Sequence, residues 1–180
     1  MRGLIAAVAL AAAAGAVAAE PAGPVVATSS GRFRGAEPDP NGVRAFKGMP
    51  YAAAPVGRLR WRSPQPARRI AGVLPADRFG KACLSAPGPN PSPYDRAIPQ
   101  GEDCLTLNVW TGATDPRAHR PVMVWVHGGG FQFSSSAVPT IDGARLATNG
   151  VVVVSLNYRL GIFGFLATPQ LDRESGSSGD

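Results

Sequence analysis

Residues 121–131 read Pro-Val-Met-Val-Trp-Val-His-Gly-Gly-Gly-Phe. The first part, Val122–Val126, contains five consecutive apolar residues, three of them β-branched and one aromatic, which predicts a strand buried on both faces. The three glycines at 128–130 then follow directly after His127. Without a Cβ, their backbone N–H groups can closely approach an atom that develops negative charge, as in an oxyanion hole. From the triplet alone, a Gly-rich turn without chemistry is an equally good interpretation.

A second apolar run follows at residues 151–156, which read Val-Val-Val-Val-Ser-Leu. Four valines in a row cannot all face one side of a strand, so this segment is also predicted to be buried on both faces of a parallel or mixed sheet. Between the two runs, residues 141–147 have helical spacing, and the Asn-Gly pair at 149–150 is a helix stop. Strand, loop, short helix and strand form an α/β unit. We expect residues 151–156 to form the open, aggregation-prone edge of this part of the sheet.

The N-terminal half contains shorter strand signals. Residues 25–48 alternate polar and apolar positions between turn formers, and the second turn ends in Asn-Gly; this predicts a small antiparallel meander. Residues 105–110 form another alternating strand. The intervening segment from residue 49 to residue 66 is rich in proline and predicts an ordered coil. Three side chains are expected to anchor that coil in the core: Tyr51, Leu59 and Trp61.

The composition is that of a globular protein, with 44% hydrophobic and 17% charged residues. The 22 glycines and 18 prolines indicate many loops. A formal net charge of +6 is compatible with anionic partners. The arginines are nevertheless scattered, without a helical basic stripe or a basic run interleaved with aromatic residues, so we predict no nucleic-acid partner.

Residues 1–19 have the pattern of a secretory signal peptide: a positive start, an Ala-rich apolar region and small residues before Glu20. Cleavage is expected after Ala19, leaving residues 20–180 as the folded part. The segment is short and Ala-rich for a membrane span, so we predict no stable membrane insertion after cleavage, although an uncleaved anchor remains the alternative. The predicted location is secreted or periplasmic.

The chain has two cysteines, Cys83 and Cys104. In an oxidising compartment, one disulfide between them is the simplest interpretation, and closing a loop of this length would stabilise the fold by about 3 kcal/mol. The spacing excludes a Cys-x-x-Cys redox site, and no nearby histidines complete a metal site. We therefore predict no metal and no organic cofactor.

Four ordered motifs resemble the type B carboxylesterase family, the cholinesterase-like branch of the α/β-hydrolases. They lie at residues 46–61, 102–110, 127–131 and 157–166, and their order and spacing agree with the family from about residue 25 to residue 166. The resemblance implies an α/β fold class. It corresponds to the N-terminal part of an α/β-hydrolase fold, with small antiparallel N-terminal strands and the first strands of a mixed central sheet, truncated before the nucleophile elbow.

The resemblance also implies roles for the glycine loop. Gly129 and Gly130 match the family's oxyanion donors, and Gly128 would make the supporting turn. His127 is not expected to be the catalytic base, and we expect it to orient the loop by hydrogen bonding. The other histidine, His119, lies in a polar connection and is expected to be solvated.

The loop closed by the cysteines carries further family features. Cys83 and Cys104 match the family's first disulfide, and Arg60 and Glu102 match an ion pair that ties the proline-rich coil to this loop. Tyr94 is the only aromatic residue between the cysteines. Cholinesterases have a choline-binding tryptophan there, so a quaternary ammonium substrate is disfavoured.

The implied activity is that of a serine hydrolase acting on small-molecule carboxylic esters. The family's nucleophile lies in a Gly-x-Ser-x-Gly elbow, and the nearest run, at residues 176–179, does not fit that pattern. The chain is therefore predicted to be an inactive N-terminal third of such an enzyme. The alternative is a non-catalytic adhesion or interaction module on the same scaffold, against which the intact glycine triplet argues. Ester, amide and carbamate cleavage are not distinguished, and the oligomeric state is left open.

Overall fold

The computed structural model describes residues 23–86 and 97–176. The predicted signal peptide, its cleavage site and Tyr94 lie outside these ranges, so those interpretations stay predictions. Within the two ranges, no helix has the length and apolar character that a membrane crossing requires.

The described residues form nine strands and three short α-helices. The strands are β1 (Val25–Thr28), β2 (Gly31–Gly35), β3 (Arg44–Pro50), β4 (Val73–Ala76), β5 (Ala82–Cys83), β6 (Gln100–Gly101), β7 (Thr106–Thr111), β8 (Val122–Val126) and β9 (Val152–Leu156). The helices are α1 (Ala144–Ala147), α2 (Gly161–Phe165) and α3 (Pro169–Ser175), and single 3-10 turns occur at Gly57–Leu59, Pro116–Ala118 and Pro139–Ile141.

The larger sheet has four strands in the order β3-β7-β9-β8. β7 pairs antiparallel with both β3 and β9, whereas β8 and β9 are parallel, with Val126 opposite Leu156. The connection between the parallel strands contains α1, as parallel neighbours require a crossover. The predicted α/β unit is thus present, and the sheet is mixed, which confirms the predicted fold class.

The smaller sheet corrects the prediction of an antiparallel meander over residues 25–48. β1 and β2 do pair antiparallel, but β3 leaves them and pairs with β7 in the larger sheet. The parallel partner of β2 is instead β4. The chain changes sheets at the turn before β3, where an Asp39 carboxylate oxygen accepts from the N–H groups of Asn41 and Val43 at 2.9 and 2.8 Å.

The two faces of the larger sheet are covered by different elements. One face packs against the smaller sheet through a buried cluster: Phe33, Phe46, Met49 and Ala76, with Leu107 and Val109 against it. The other face packs against α1 through Val43, Trp110, Ala147 and Val153. β9 lies between β7 and β8 and has no exposed residue, consistent with its valine-rich sequence.

The prediction that β8 is buried on both faces is wrong for the described residues. All five of its side chains are between 47% and 62% exposed. Among the described residues the edge strands of this sheet are β3 and β8, and β8 is the exposed apolar one. The prediction that residues 151–156 form an open edge is therefore also wrong. The reason is the crossover, which places the earlier strand outside the later one, so that β9 becomes interior.

The proline-rich coil is attached differently from the prediction. Tyr51 is 37% exposed, and Leu59 and Trp61 are only partly buried. Tyr51 and Trp61 hold the coil through their polar tips: the Tyr51 hydroxyl donates to the Asn157 carbonyl at 2.7 Å, and Trp61 Nε1 donates to the Ile162 carbonyl at 2.8 Å. These side chains thus act as hydrogen-bonded ties more than as core anchors.

Candidate active site

The glycine loop leaves the sheet at the carboxyl end of β8, next to the carboxyl end of β9. Ligand sites of open α/β sheets lie outside this end of the parallel strands. The loop begins after His127, which is 3% exposed, and returns to the core at Ser135 and Ser136, each 2% exposed. The seven residues from 128 to 134 therefore form an excursion between buried residues on either side.

The three glycines differ in what the backbone requires of them. Gly129 has φ 121°, and a Cβ there would lie 2.1 Å from the Phe133 carbonyl oxygen. Gly130 has φ 59° but open space around it. Gly128 has neither a positive φ nor a neighbouring atom within 4 Å of a built Cβ. The turn itself is therefore formed by Gly129, Gly130 and Phe131, whose φ is 62°.

The loop folds back on a single carbonyl and leaves a run of N–H groups available. The amides of Gln132 and Phe133 both donate to the Gly129 carbonyl, at 3.0 and 3.3 Å. The Gly161 amide donates to the Phe131 carbonyl at 2.7 Å, which ties the loop tip to the start of α2. Within the described part of the chain, the N–H groups of residues 128–131 have no hydrogen-bond acceptor, and those of Gly129 and Gly130 are among them. Two adjacent free donors at a strand end can bind an oxyanion.

His127 faces inward at the base of the loop. Its Nδ1 lies 2.8 Å from the Gly128 carbonyl oxygen, which can only accept, so this nitrogen carries the proton and Nε2 is the acceptor of a neutral ring. The ring stacks on Tyr158 with centroids 4.5 Å apart, and the Tyr158 hydroxyl donates to the His127 carbonyl at 2.9 Å. Nε2 is buried without a partner among the described residues. Burial lowers the pKa of His127, partly opposed by the bond to Gly128.

A buried polar cluster, which was not predicted from the sequence, contacts the returning end of the loop at Ser136. It consists of Asn108, Ser136, Ser155 and Asn157, each at most 2% exposed. The side chains of Asn108 and Asn157 both bond to Ser136. One signal was present in the sequence: Ser155 interrupts an apolar strand, where burial requires a partner. Asn108 gave no such signal, because it occupies a polar position of an alternating strand.

An apolar cavity of about 780 Å³ adjoins the loop. Its lining includes Gly130, Phe131, Ile162 and Phe165. The rings of Phe131 and Phe165 lie 4.9 Å apart, and both side chains are more than half exposed. The free donor of Gly130 thus lies at the border of a concave apolar surface.

The expected covalent and ionic ties of the coil are present. Cys83 and Cys104 form a disulfide with their Cα atoms 5.0 Å apart, and both are buried. Arg60 and Glu102 form a bidentate pair, with Nε and Nη2 each 2.5 Å from a carboxylate oxygen. The hydrogen bonds from Arg60 lower the pKa of Glu102. The ion pair and the disulfide lie next to each other and line one small cavity together.

The described residues contain no group of three His, Cys, Asp or Glu side chains arranged to hold a metal ion.

A mixed sheet with a parallel β8-α1-β9 unit, followed at the strand end by paired free amides, defines the α/β-hydrolase class. The chain belongs to the carboxylesterase family, since the family's sequence profile, described as "Carboxylesterase family", matches residues 22–179.

Relatives and solved structures agree with this membership. The chain is 48% identical over 155 residues to "Fumonisin B1 esterase" of Sphingopyxis macrogoltabida, covering 85% of this chain and 28% of that protein. It is 43% identical over 148 residues to "Para-nitrobenzyl esterase" of Bacillus subtilis, covering 79% of this chain and 29% of that protein. A structure of a "thermophylic PNB esterase" superposes with TM-score 0.73 at 38% identity, covering 87% of this chain and 31% of that one. The chain thus spans less than a third of the length of these proteins.

Proposed function

We propose that the chain supplies the oxyanion-binding loop of a serine hydrolase that cleaves small-molecule carboxylic esters. The observation that carries this proposal is the run of free N–H groups at residues 128–131, at the carboxyl end of a parallel strand pair and beside an apolar cavity. The resemblance of the glycine motif selects Gly129 and Gly130 as the donors. Membership of the carboxylesterase family supports it.

In the proposed reaction, a serine Oγ attacks the ester carbonyl carbon while a histidine takes its proton. The oxygen of the tetrahedral intermediate becomes negatively charged and accepts from the N–H groups of Gly129 and Gly130. The alcohol leaves with the proton, and water then hydrolyses the acyl-enzyme by the same steps. One such donor stabilises the transition state by about 2.7–4 kcal/mol. His127 has no part as a base, since the nitrogen that could take a proton, Nε2, is buried and has no hydrogen-bond partner among the described residues.

The serine, the acid and the histidine of the triad are proposed to lie outside these 180 residues, because the printed sequence contains no Gly-x-Ser-x-Gly elbow. The chain alone is then catalytically inert. No metal or organic cofactor takes part. Export to a secreted or periplasmic location, as the N-terminal sequence predicts, suits a disulfide-bonded enzyme.

Hydrolysis of p-nitrophenyl acetate by the purified chain tests whether these 180 residues are inactive without the catalytic triad. We expect the rate to equal that of a Gly129→Pro control, and a rate above the control would contradict the proposed inertness. A Gly-x-Ser-x-Gly motif in the coding sequence after residue 180, whose serine a fluorophosphonate labels, is expected for the esterase. A continuing sequence without it would favour the non-catalytic module.

A further inference from the structure

We propose that Asn157 is a positioning residue for the glycine loop, acting together with Asn108 through Ser136. The proposal rests on the proposed function, since it assigns to a buried cluster the task of holding the two oxyanion donors in place. Asn108 lies in β7 and Asn157 directly follows β9, so both act on the loop from outside it.

The returning end of the loop is held at Ser136 by three different atoms. The Ser136 amide donates to Asn157 Oδ1 at 2.8 Å. Its hydroxyl accepts from Asn108 Nδ2 at 3.1 Å, and its carbonyl accepts from the Ser155 hydroxyl at a longer 3.5 Å. A single loop residue is thus fixed to two neighbouring strands, β7 and β9.

Asn157 uses every polar group it has. Its Oδ1 binds Ser136, its Nδ2 donates to the Lys81 carbonyl at 2.9 Å, and its amide donates to the Thr106 carbonyl at 3.0 Å. Its own carbonyl accepts from the Tyr51 hydroxyl at 2.7 Å. With 1% exposure, this residue joins four segments that are far apart in sequence. A fully satisfied buried network of this kind is rigid, whereas loss of one partner leaves buried groups unpaired.

The loop needs such support because its own backbone is strained. Phe131 and Ser134 have φ of 62° and 84°, a left-handed conformation that is unfavourable for non-glycine residues and persists only where the surroundings enforce it. The outgoing end is fixed by His127, whose carbonyl is bonded to Tyr158. The returning end is fixed by Ser136. Together these two attachments define where the strained turn, and hence the N–H groups of Gly129 and Gly130, must lie.

Hydrogen exchange read by mass spectrometry on the 180-residue chain tests the proposal. Asn157→Leu removes both side-chain bonds with little change in volume. We expect the amides of Gln132 and Phe133, which close the turn on Gly129, to exchange about tenfold faster, because a buried group loses its partner. The amides of β2 should change far less. Ser136→Ala removes one bond only and should accelerate the same two amides to a smaller degree.

The matched control is Val109→Ala, which deletes buried atoms from the same strand as Asn108 but on the opposite face of the sheet. It should accelerate exchange generally, without singling out the loop. Unchanged exchange of Gln132 and Phe133 in both polar variants would overturn the proposal, as would an equal loop-specific acceleration in the control. If Asn157→Leu fails to fold, Ser136→Ala decides. The measurement needs no substrate, so a failure of the esterase proposal would leave its result standing.

Discussion

At the scale of single residues, the glycine triplet contains two kinds of position. At position 129 a side chain would clash with the Phe133 carbonyl, and at position 130 the left-handed φ favours glycine. Neither constraint applies at Gly128. The structural need for glycine, predicted for backbone N–H groups that approach an oxyanion, therefore applies to Gly129 and Gly130. Any requirement at Gly128 must come from a contact outside the described residues or from the bound substrate.

His127 makes a pH-dependent contribution to stability that can be measured. Burial lowers its pKa in the folded state, so below about pH 6.5, the ordinary value, the unfolded chain binds more protons than the folded one. Stability is therefore fully present above that pH and falls as the pH drops below it. Urea melts at pH 7.5 and 5.5 should show a larger loss for the wild type than for His127→Asn, which keeps a donor near the Gly128 carbonyl. Equal losses would contradict the buried neutral ring.

At this scale, the sequence predicts those site residues that form a local motif. It does not predict a residue whose partners come from distant segments. The Gly-Gly-Gly run and the two lone cysteines are visible in the sequence itself. The role of Asn157 is not, because its partners Tyr51, Lys81, Thr106 and Ser136 come from four separated segments. A polar residue inside an apolar strand predicts that a partner exists, but not which one.

At the scale of elements, β8 and β9 show that an apolar run predicts a strand but not whether that strand lies inside the sheet or at its edge. Both sequences indicate strands buried on two faces, yet β9 is interior and β8 is exposed along its whole length. Strand order depends on the crossover direction, which the composition of each run does not encode. Helix α3 was missed, although Thr168 caps it through its hydroxyl, proline occupies its first turn, and Gly176 ends it with φ 76°; these are ordinary start and stop signals.

An exposed apolar edge strand is an aggregation site. We expect the 180-residue chain to self-associate through β8, and Val124→Lys to reduce that association by placing charge on the open edge. Val25→Lys, at a 39% exposed position of β1, is the matched control and should have little effect. Sedimentation velocity over a concentration series measures both. Monomeric wild type, or equal effects of the two variants, would show that β8 is not the associating surface.

At the scale of the whole molecule, the disulfide joins β5, which pairs in parallel with β6, to the segment between β6 and β7. Its two cysteines are 21 positions apart, and closing a loop of that size stabilises by about 3 kcal/mol in the chain-entropy description. Urea unfolding followed by fluorescence of the buried Trp110 should show a loss of this order on reduction. The double variant Cys83→Ala, Cys104→Ala should match the reduced protein and be insensitive to reductant. A midpoint unchanged by reduction would contradict this role.

The central claim is that the amides at Gly129 and Gly130 bind the oxyanion of an ester's transition state. It is tested most directly by kcat for p-nitrophenyl acetate in the protein extended to include its nucleophile, comparing Gly129→Ala with Gly128→Ala. Displacing the donor at Gly129 should lower kcat by about 10²–10³-fold, while Gly128→Ala, whose Cβ meets no described atom, should stay within a few-fold of wild type. Equal kcat in both folded variants would contradict the account.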